Sequence, residues 1–389
     1  MANHPRPLKI FQDETHGTSY TTHRYCYDSE SAPGSLYDKE QDFIFENFGE
    51  TDKSKKSRNL QPLAERISKI SSPIFSYFLD GSRRVYKLDD IQYAKRIYPI
   101  LLGQIGASCC QRDKDGNLSN LRTDNRLILA VPTTANPDGG GKSAFFDAIR
   151  NKINNESTLT RLNLELHSII TYQNVKDEDY ADLAIADLHE EMLDMEKGFV
   201  NWLVKKQKLL TPDSMLMKDG SLEYKKISRG TYKDISHLKS NYKCVVGVSK
   251  KFNPEKSYDS KGRSNAVEIA KLPLYHRTPA FKFRSNVAGG SGGAVHFVAW
   301  YVRIRRIEDT ISPFDGVVKV ERLLVDENAV ENGLPTDEID TISANIIWER
   351  HPTCYGSDPR WANHLYPIHL TERCLKSRRL SDHVIMNLL

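Results

Sequence analysis

The chain has 389 residues, with 55 Lys and Arg against 51 Asp and Glu and a formal net charge of +4, which excludes a histone-like or arm-like polycation. With 39% hydrophobic and 27% charged residues it has ordinary globular composition, and its length allows two domains or one domain carrying large insertions. No run approaches the ~20 consecutive apolar residues of a membrane helix, and the opening MANHPRPLKIFQDETHG lacks a secretory apolar stretch; the expectation is a soluble, cytoplasmic protein with no membrane contact. The six cysteines, Cys26, Cys109, Cys110, Cys244, Cys354 and Cys374, show no C-x-x-C spacing. Alternation along a strand sends the adjacent Cys109 and Cys110 to opposite faces, so neither a disulfide framework nor a zinc site is expected.

Residues 1–66 read as a polar extension that clasps either a partner or the core, and 67–389 as the main domain. Within the extension only FIFENF concentrates apolar surface, and the basic run Lys53, Lys55, Lys56, Arg58 follows it. From Ile74 to Leu79 the chain is apolar and aromatic, which predicts a strand. Asp80-Gly81-Ser82 then predicts a tight turn, and Arg83 to Tyr86 a second strand. The apolar runs at Tyr98 to Ala107 and Leu127 to Val131 extend this into a meander of three or four strands. PTTANPDGGGKSAFF places a glycine run before a helix. The Walker spacing requires a glycine where this chain has Asn136, so the segment reads as a helix-capping loop rather than an ATP site.

After a strand around His167 to Tyr172, residues 177–208 predict a long helix. Leu188, Met192, Met195, Phe199 and Trp202 or Leu203 keep the spacing of a buried stripe. At 100° per residue, Glu196 and Glu191 flank that stripe, while Asp187, Glu190 and Asp194 point away from it. An apolar run from Met215 then ends in Asp219-Gly220-Ser221, the second Asp-Gly-Ser of the chain. One such tripeptide is only a turn. Two copies, each closing an apolar strand, suggest strand ends that deliver two carboxylates to one place.

Val245 to Ser249 predicts a further strand running into Lys250 and Lys251. Residues 225–284 hold fifteen Lys and Arg against four Asp and Glu. That is a balance of +11, leaving −7 for the rest of the chain. Interleaved are Tyr232, Tyr242, Phe252, Tyr258, Tyr275, Phe281 and Phe283. Cations for phosphates and aromatic faces for unpaired bases make this a candidate nucleic-acid surface, the bland alternative being a solubilising loop. A glycine-rich connection at 288–293, strands at 294–304 and 317–324, the Ile346-Ile347-Trp348 run, a loop, Tyr366-Pro367 and a helix at 382–389 complete the chain.

Two strand-end aspartates and a helical glutamate, without a Cys or His ligand pattern, form the hard oxygen set that suits Mg²⁺ or Mn²⁺. Phosphodiester hydrolysis uses such sites, because cations offset the repulsion of converging carboxylates and assist the attack of water. The order of Asp80-Gly81-Ser82, acidic helix, Asp219-Gly220-Ser221-Leu222, Val245-Val246-Gly247-Val248-Ser249-Lys250 and late Tyr366-Pro367 resembles the NurA nucleases. That resemblance covers roughly residues 67–389 and implies an RNase H-like α/β fold, a mixed sheet flanked by helices. It also implies a Mn²⁺-dependent DNA nuclease, a homodimer, and a HerA-type hexameric ATPase partner in DNA end processing or phage defence. By motif, Asp80 and Asp219 are similar to the family's metal-binding aspartates. Glu196 is chosen as the helical ligand, with Glu191 in reserve. Lys250 is similar to the lysine closing the strand and is assigned to substrate phosphate, with Lys251 and Arg83 as further nucleic-acid contacts. The family has a histidine about two helical turns after the tyrosine equivalent to Tyr366; here that position departs from the pattern, leaving His369, His364 or Glu372 as the fourth group. The rival expectation is a catalytically weak subunit that binds nucleic acid or docks on an ATPase ring.

Overall fold

The computed structural model describes residues 7–28, 44–54, 56–70, 72–137, 144–175, 178–222, 232–259, 261–285, 295–350, 352 and 359–388. Ten strands form its main sheet path: β1 (Ile44–Phe48), β2 (Phe75–Tyr93), β3 (Arg96–Arg112), β4 (Leu118–Pro132), β5 (Leu166–Tyr172), β6 (Met215–Asp219), β7 (Val245–Ser249), β8 (Phe281–Ser285), β9 (Val295–Arg303) and β10 (Val317–Leu323). Their spatial order is β1-β8-β9-β10-β7-β6-β2-β3-β4-β5. The strands β2, β3 and β4 are an antiparallel meander; β6 lies parallel to β2, and β7 parallel to β6. The architecture is therefore the mixed α/β type expected from the sequence.

One expectation fails in an informative way. The first Asp-Gly-Ser is not a turn: β2 runs unbroken for 19 residues, and Asp80, Gly81 and Ser82 pair with Ser108, Ala107 and Gly106 of β3. A local turn signal loses here to the long antiparallel ladder with β3. The second copy behaves as expected, since β6 stops at Asp219 and Gly220 takes φ +81°, a left-handed conformation that glycine adopts without strain.

Alternation along β2, β6 and β7 sorts their side chains into two cores. On one face Leu79, Leu216 and Val245 pack with Leu188, Met195 and Phe199 of α2 (Tyr180–Asn201). The other face carries Phe78, Met217, Val246 and Val248, which pack against Ile339, Ile342 and Ile346 of α3 (Thr336–Trp348) and Ile368 of α4 (Tyr366–Lys376). A last helix, α5 (Asp382–Leu388), follows α4. Cys109 and Cys110 are both buried, and they divide between the faces, Cys109 pairing with Leu79 and Cys110 with Phe78.

The helix α2 is shorter than the expected 177–208. It starts at an Asp179 cap, whose side chain accepts from Ala181 N, and passes into a π-helical turn at Trp202–Lys206. Leu188, Met192, Met195, Phe199 and Leu203 are all buried, each worth roughly 1.5–3 kcal/mol of apolar burial. Asp194 is exposed as expected, whereas Asp187 and Glu190 are half-buried.

The N-terminal segment takes the core rather than a partner in what is described of it. Phe11, on the N-terminal helix α1 (Pro7–Thr15), is fully buried, and Thr18–Ser19 and Tyr25–Cys26 pair with β2. Glu50 forms a buried ion pair with Arg277 at 2.8 Å. The segment read as a basic insertion also belongs to the sheet, because it supplies β7 and β8. Tyr242, Phe252, Phe281 and Phe283 are core residues, which corrects their reading as a base-stacking surface. Ile346 to Trp348 close α3. The glycine loops at 138–143 and 286–294, Cys354, and the basic residues 225–230 lie outside the described residues. Among those described, no helix is long and apolar enough to cross a membrane.

Candidate functional site

The parallel register places Leu79 beside Lys218 and Val248 beside Asp219. Asp80, Asp219 and the end of β7 thus lie next to one another at the carboxyl ends of β6 and β7, where open α/β sheets bind ligands. Asp80 and Asp219 share one face of the sheet, and Lys250, one residue past β7, joins them there. Its Nζ is 3.0 Å from Asp219 Oδ2 and 3.8 Å from Glu372 Oε2. Glu372 comes from α4, one residue after Thr371, which is buried against the sheet.

Glu196 approaches from the opposite face. It is 2% exposed, and its Oε2 is 2.8 Å from Lys218 Nζ. Lys218 is itself buried on the α2 side of β6, and its ammonium also donates to the carbonyls of Asp219 (2.8 Å) and Ser221 (3.3 Å). The carboxylate can come this close to β2 because residue 81 is glycine: Glu196 Oε1 occupies the place where a Cβ at Gly81 would stand. The first Asp-Gly-Ser is thus an aspartate on one face beside an opening for a glutamate on the other.

A third buried carboxylate holds the second Asp-Gly-Ser. Glu321 of β10 accepts from Ser221 Oγ and from Leu222 N, both at 2.8 Å, and lies 2.8 Å from Lys319. Burial drives its carboxyl up, but Lys319 and those two donors outweigh burial and hold it below the ordinary value. Gly247 makes room for this turn, since a Cβ there would meet Leu222 and the Gly220 carbonyl. Lys218, Glu321 and Gly247 were not singled out by sequence reasoning. The available signal was a lysine between the apolar Met215 to Met217 run and Asp219.

The electrostatics of the site are strained. Asp80 is 5% exposed. Burial first, then the charges of Asp219, Glu372 and Glu196, push its carboxyl well above the usual range, with Lys250 opposing them. Glu196 is also raised, by burial, against the pull of Lys218. Lys250 is held protonated by Asp219, Asp80 and Glu372 in spite of its burial. Asp80, Asp219 and Glu372 gather at the single buried ammonium of Lys250, Glu196 pairs with Lys218 behind them, and the exposed Lys376 reaches Glu372 at 2.5 Å from the solvent side. Among the described residues no three His, Cys, Asp or Glu side chains are grouped as a ready metal cage. The lysines instead sit against the carboxylates. The oxygens are of the hard type that Mn²⁺ or Mg²⁺ takes, but Glu196 stands across the sheet from Asp80 and Asp219, so the four do not form one ligand cage as they stand.

The remaining expected residues are placed as follows. Glu191 is half-buried on α2, more than one turn before Glu196. Tyr366 is 42% exposed at the start of α4. His369 stacks on His364 with ring centroids 5.6 Å apart, and it is Glu372 of this helix that reaches Lys250. Lys251 is exposed, and Arg83 is half-buried on the α2 face. Lys250, expected to face substrate, is drawn into the carboxylate group.

No protein-family model matches the chain, and no curated protein matches it.

Proposed function

We propose that this protein is a metal-dependent DNA nuclease in which Asp80, Asp219 and Glu372 hold Mn²⁺ or Mg²⁺ on one face of the sheet, Glu196 backs them from the other face, and phosphodiester bonds are hydrolysed beside them. The observation that carries the reading is the meeting of Asp80 and Asp219, 139 positions apart in the sequence, with glutamates from two helices. Their net negative charge is buried and incompletely balanced. Such a group is costly to hold without a ligand. Active sites are where folds tolerate that kind of strain. A bound divalent cation would supply charge neutralisation at the reacting phosphate. The protein's own part is to fix the oxygens: Gly81 admits Glu196, Glu321 pins the loop after Asp219, and Lys218 and Lys250 orient carboxylates that would otherwise repel one another.

The order of β4, β3, β2, β6 and β7, an antiparallel meander with two strands parallel to its first, supports the RNase H-like part of the resemblance. The homodimer and the HerA-type ATPase partner, acting in end processing or defence, rest on the order of motifs alone. Purified protein incubated with labelled single- and double-stranded DNA tests the activity. Cleavage with Mn²⁺ that is lost in EDTA, in Asp80→Ala and in Asp219→Ala supports the proposal. Equal cleavage by both variants removes the site assignment.

One observation favours a second reading. Lys250 and Lys218 already occupy the near side of Asp219 and Glu196, which suits a catalytically weak subunit that binds nucleic acid or docks on an ATPase ring. DNA binding without Mn²⁺-dependent cleavage, both alone and with the ATPase, would select it.

A further inference from the structure

We propose that Arg379 and Arg84 form a phosphate clamp beside Asp80 that grips the sugar-phosphate backbone of the substrate. The inference rests on the nucleic-acid reading above but not on cleavage. Arg84 lies four residues beyond Asp80 on β2, so alternation brings both side chains to the same face. Its partner across the ladder is Gln104 of β3, which is 4% exposed. Gln104 makes two reciprocal hydrogen bonds with Leu380: its Nε2 donates to Leu380 O at 3.2 Å, and its Oε1 accepts from Leu380 N at 2.7 Å. This pair of hydrogen bonds seats the connection between α4 and α5 over β3 beside the Arg84 position. Arg379 is the residue before Leu380.

The two arginines are held differently. Arg84 Nη2 donates to Asp382 Oδ2 at 2.6 Å, and Tyr86 OH donates to Asp382 Oδ1 at 2.9 Å. Asp382 therefore fixes Arg84, whose Nε is buried with no acceptor. The Arg379 guanidinium has no hydrogen bond or ion pair among the described residues. Its charge is disfavoured by burial and then by Arg84, with Asp80 among the carboxylates that offset them. Two neighbouring half-buried cations repel each other, and Asp382 engages only Arg84. An anion brought by the ligand would relieve that repulsion. The planar fork of arginine matches two phosphate oxygens, which an ammonium does not. The position is also right for a backbone, because Arg84 stands four residues, about 13 Å along β2, from Asp80 on the face where Asp219 and Glu372 lie.

The test is binding of a fluorescent single-stranded oligonucleotide in EDTA, followed by anisotropy over a range of salt concentrations. Wild type, Arg379→Gln and Arg379→Lys are compared. We expect Arg379→Gln to weaken binding about tenfold and to lower the salt slope by about 0.7, the loss of one phosphate contact on a single strand, with Arg379→Lys restoring the slope but only part of the affinity. Thermal stability should be unchanged or raised in Arg379→Gln, because no partner is lost. The clamp is overturned by unchanged affinity and slope, by absence of binding in wild type, or by a clear fall in Tm, which would mark a structural arginine. Competition by inorganic phosphate at the oligonucleotide's own molar concentration would identify a free-phosphate site and overturn the backbone assignment. Arg379-dependent binding without Mn²⁺-dependent cleavage leaves the clamp standing and removes the nuclease. Cleavage with an unchanged KM in Arg379→Gln does the reverse.

Discussion

The Glu196 carboxylate fills the space that a side chain at Gly81 would need, and so sits against β2 one residue from Asp80. This is a requirement for space and not for an unusual backbone, since Gly81 is not among the residues with positive φ. Gly81→Ala should force Glu196 out of place. Overpacking of this kind costs about 1–3 kcal/mol, and we expect at least a tenfold loss of Mn²⁺-dependent cleavage in a protein that still folds. Gly198→Ala serves as the control. It lies on the same helix with nothing within 4 Å of its would-be Cβ, so it should stabilise by roughly 0.5–1 kcal/mol and leave cleavage unchanged. Equal behaviour of the two variants in melting and cleavage assays would dissociate Gly81 from the site.

Asp80 should weaken the cation-free fold while it makes the site. Its carboxyl is raised by burial and by Asp219, Glu372 and Glu196, so the folded protein holds this proton more tightly than the unfolded chain. Between the ordinary carboxylate pKa of 3.8 and the raised folded value the native state binds more protons, and stability falls as pH rises. Asp80→Asn removes that dependence. In EDTA the Tm of Asp80→Asn should exceed that of wild type by a margin that widens from about pH 4 to about pH 8. Adding Mn²⁺ should close the gap by stabilising only the wild type. A gap that is flat with pH would show that Asp80 is not under this strain.

The apolar runs exposed much of this to sequence reasoning, because burial on a sheet leaves a period that survives in the text. The strands β3 to β7, β9 and β10 and the stripe of α2 were legible in that way, whereas β8 was not. So was the pairing of Asp80 with Asp219, through a repeated tripeptide. What the tripeptide could not tell was its own conformation. Asp80-Gly81-Ser82 and Asp219-Gly220-Ser221 are identical in sequence, but one lies inside a strand paired along β3 and the other ends a strand. The difference is set by β3, which is far from local information. Nor could spacing choose among His364, His369 and Glu372, because that depends on how α4 is rotated against the sheet. The basic, aromatic segment misled for a related reason: composition does not distinguish an aromatic that faces solvent from Phe281 or Phe283 beneath a strand.

Lys218 and Glu196 form a buried pair, so removal of either partner should be unequal. Lys218→Met strands a carboxylate at 2% exposure and should cost about 3–5 kcal/mol. Glu196→Gln leaves an ammonium that still donates to the Asp219 and Ser221 carbonyls, and should cost less. The double variant should recover part of the Lys218→Met loss. A double-mutant cycle by denaturant unfolding measures the coupling; additive losses would mean that the 2.8 Å pair contributes nothing of its own.

Glu372 and His369 lie three residues apart on α4, and the structure gives them different neighbours. Glu372 faces Lys250 at 3.8 Å and is among the charges that raise Asp80, whereas His369 stacks on His364. If Glu372 is the fourth group, Glu372→Gln should reduce Mn²⁺-dependent cleavage by one to two orders of magnitude, the range typical of lost metal-site support. In EDTA the same substitution should raise Tm, because it removes one of the carboxylates that oppose Asp80 ionisation. His369→Gln should change cleavage by less than about threefold, a difference worth under ~0.7 kcal/mol of activation free energy. Steady-state kinetics with a defined oligonucleotide, run beside melting curves for both variants, decide between them. Loss of cleavage in His369→Gln with Glu372→Gln unaffected would return the fourth position to the histidine that the motif order first suggested.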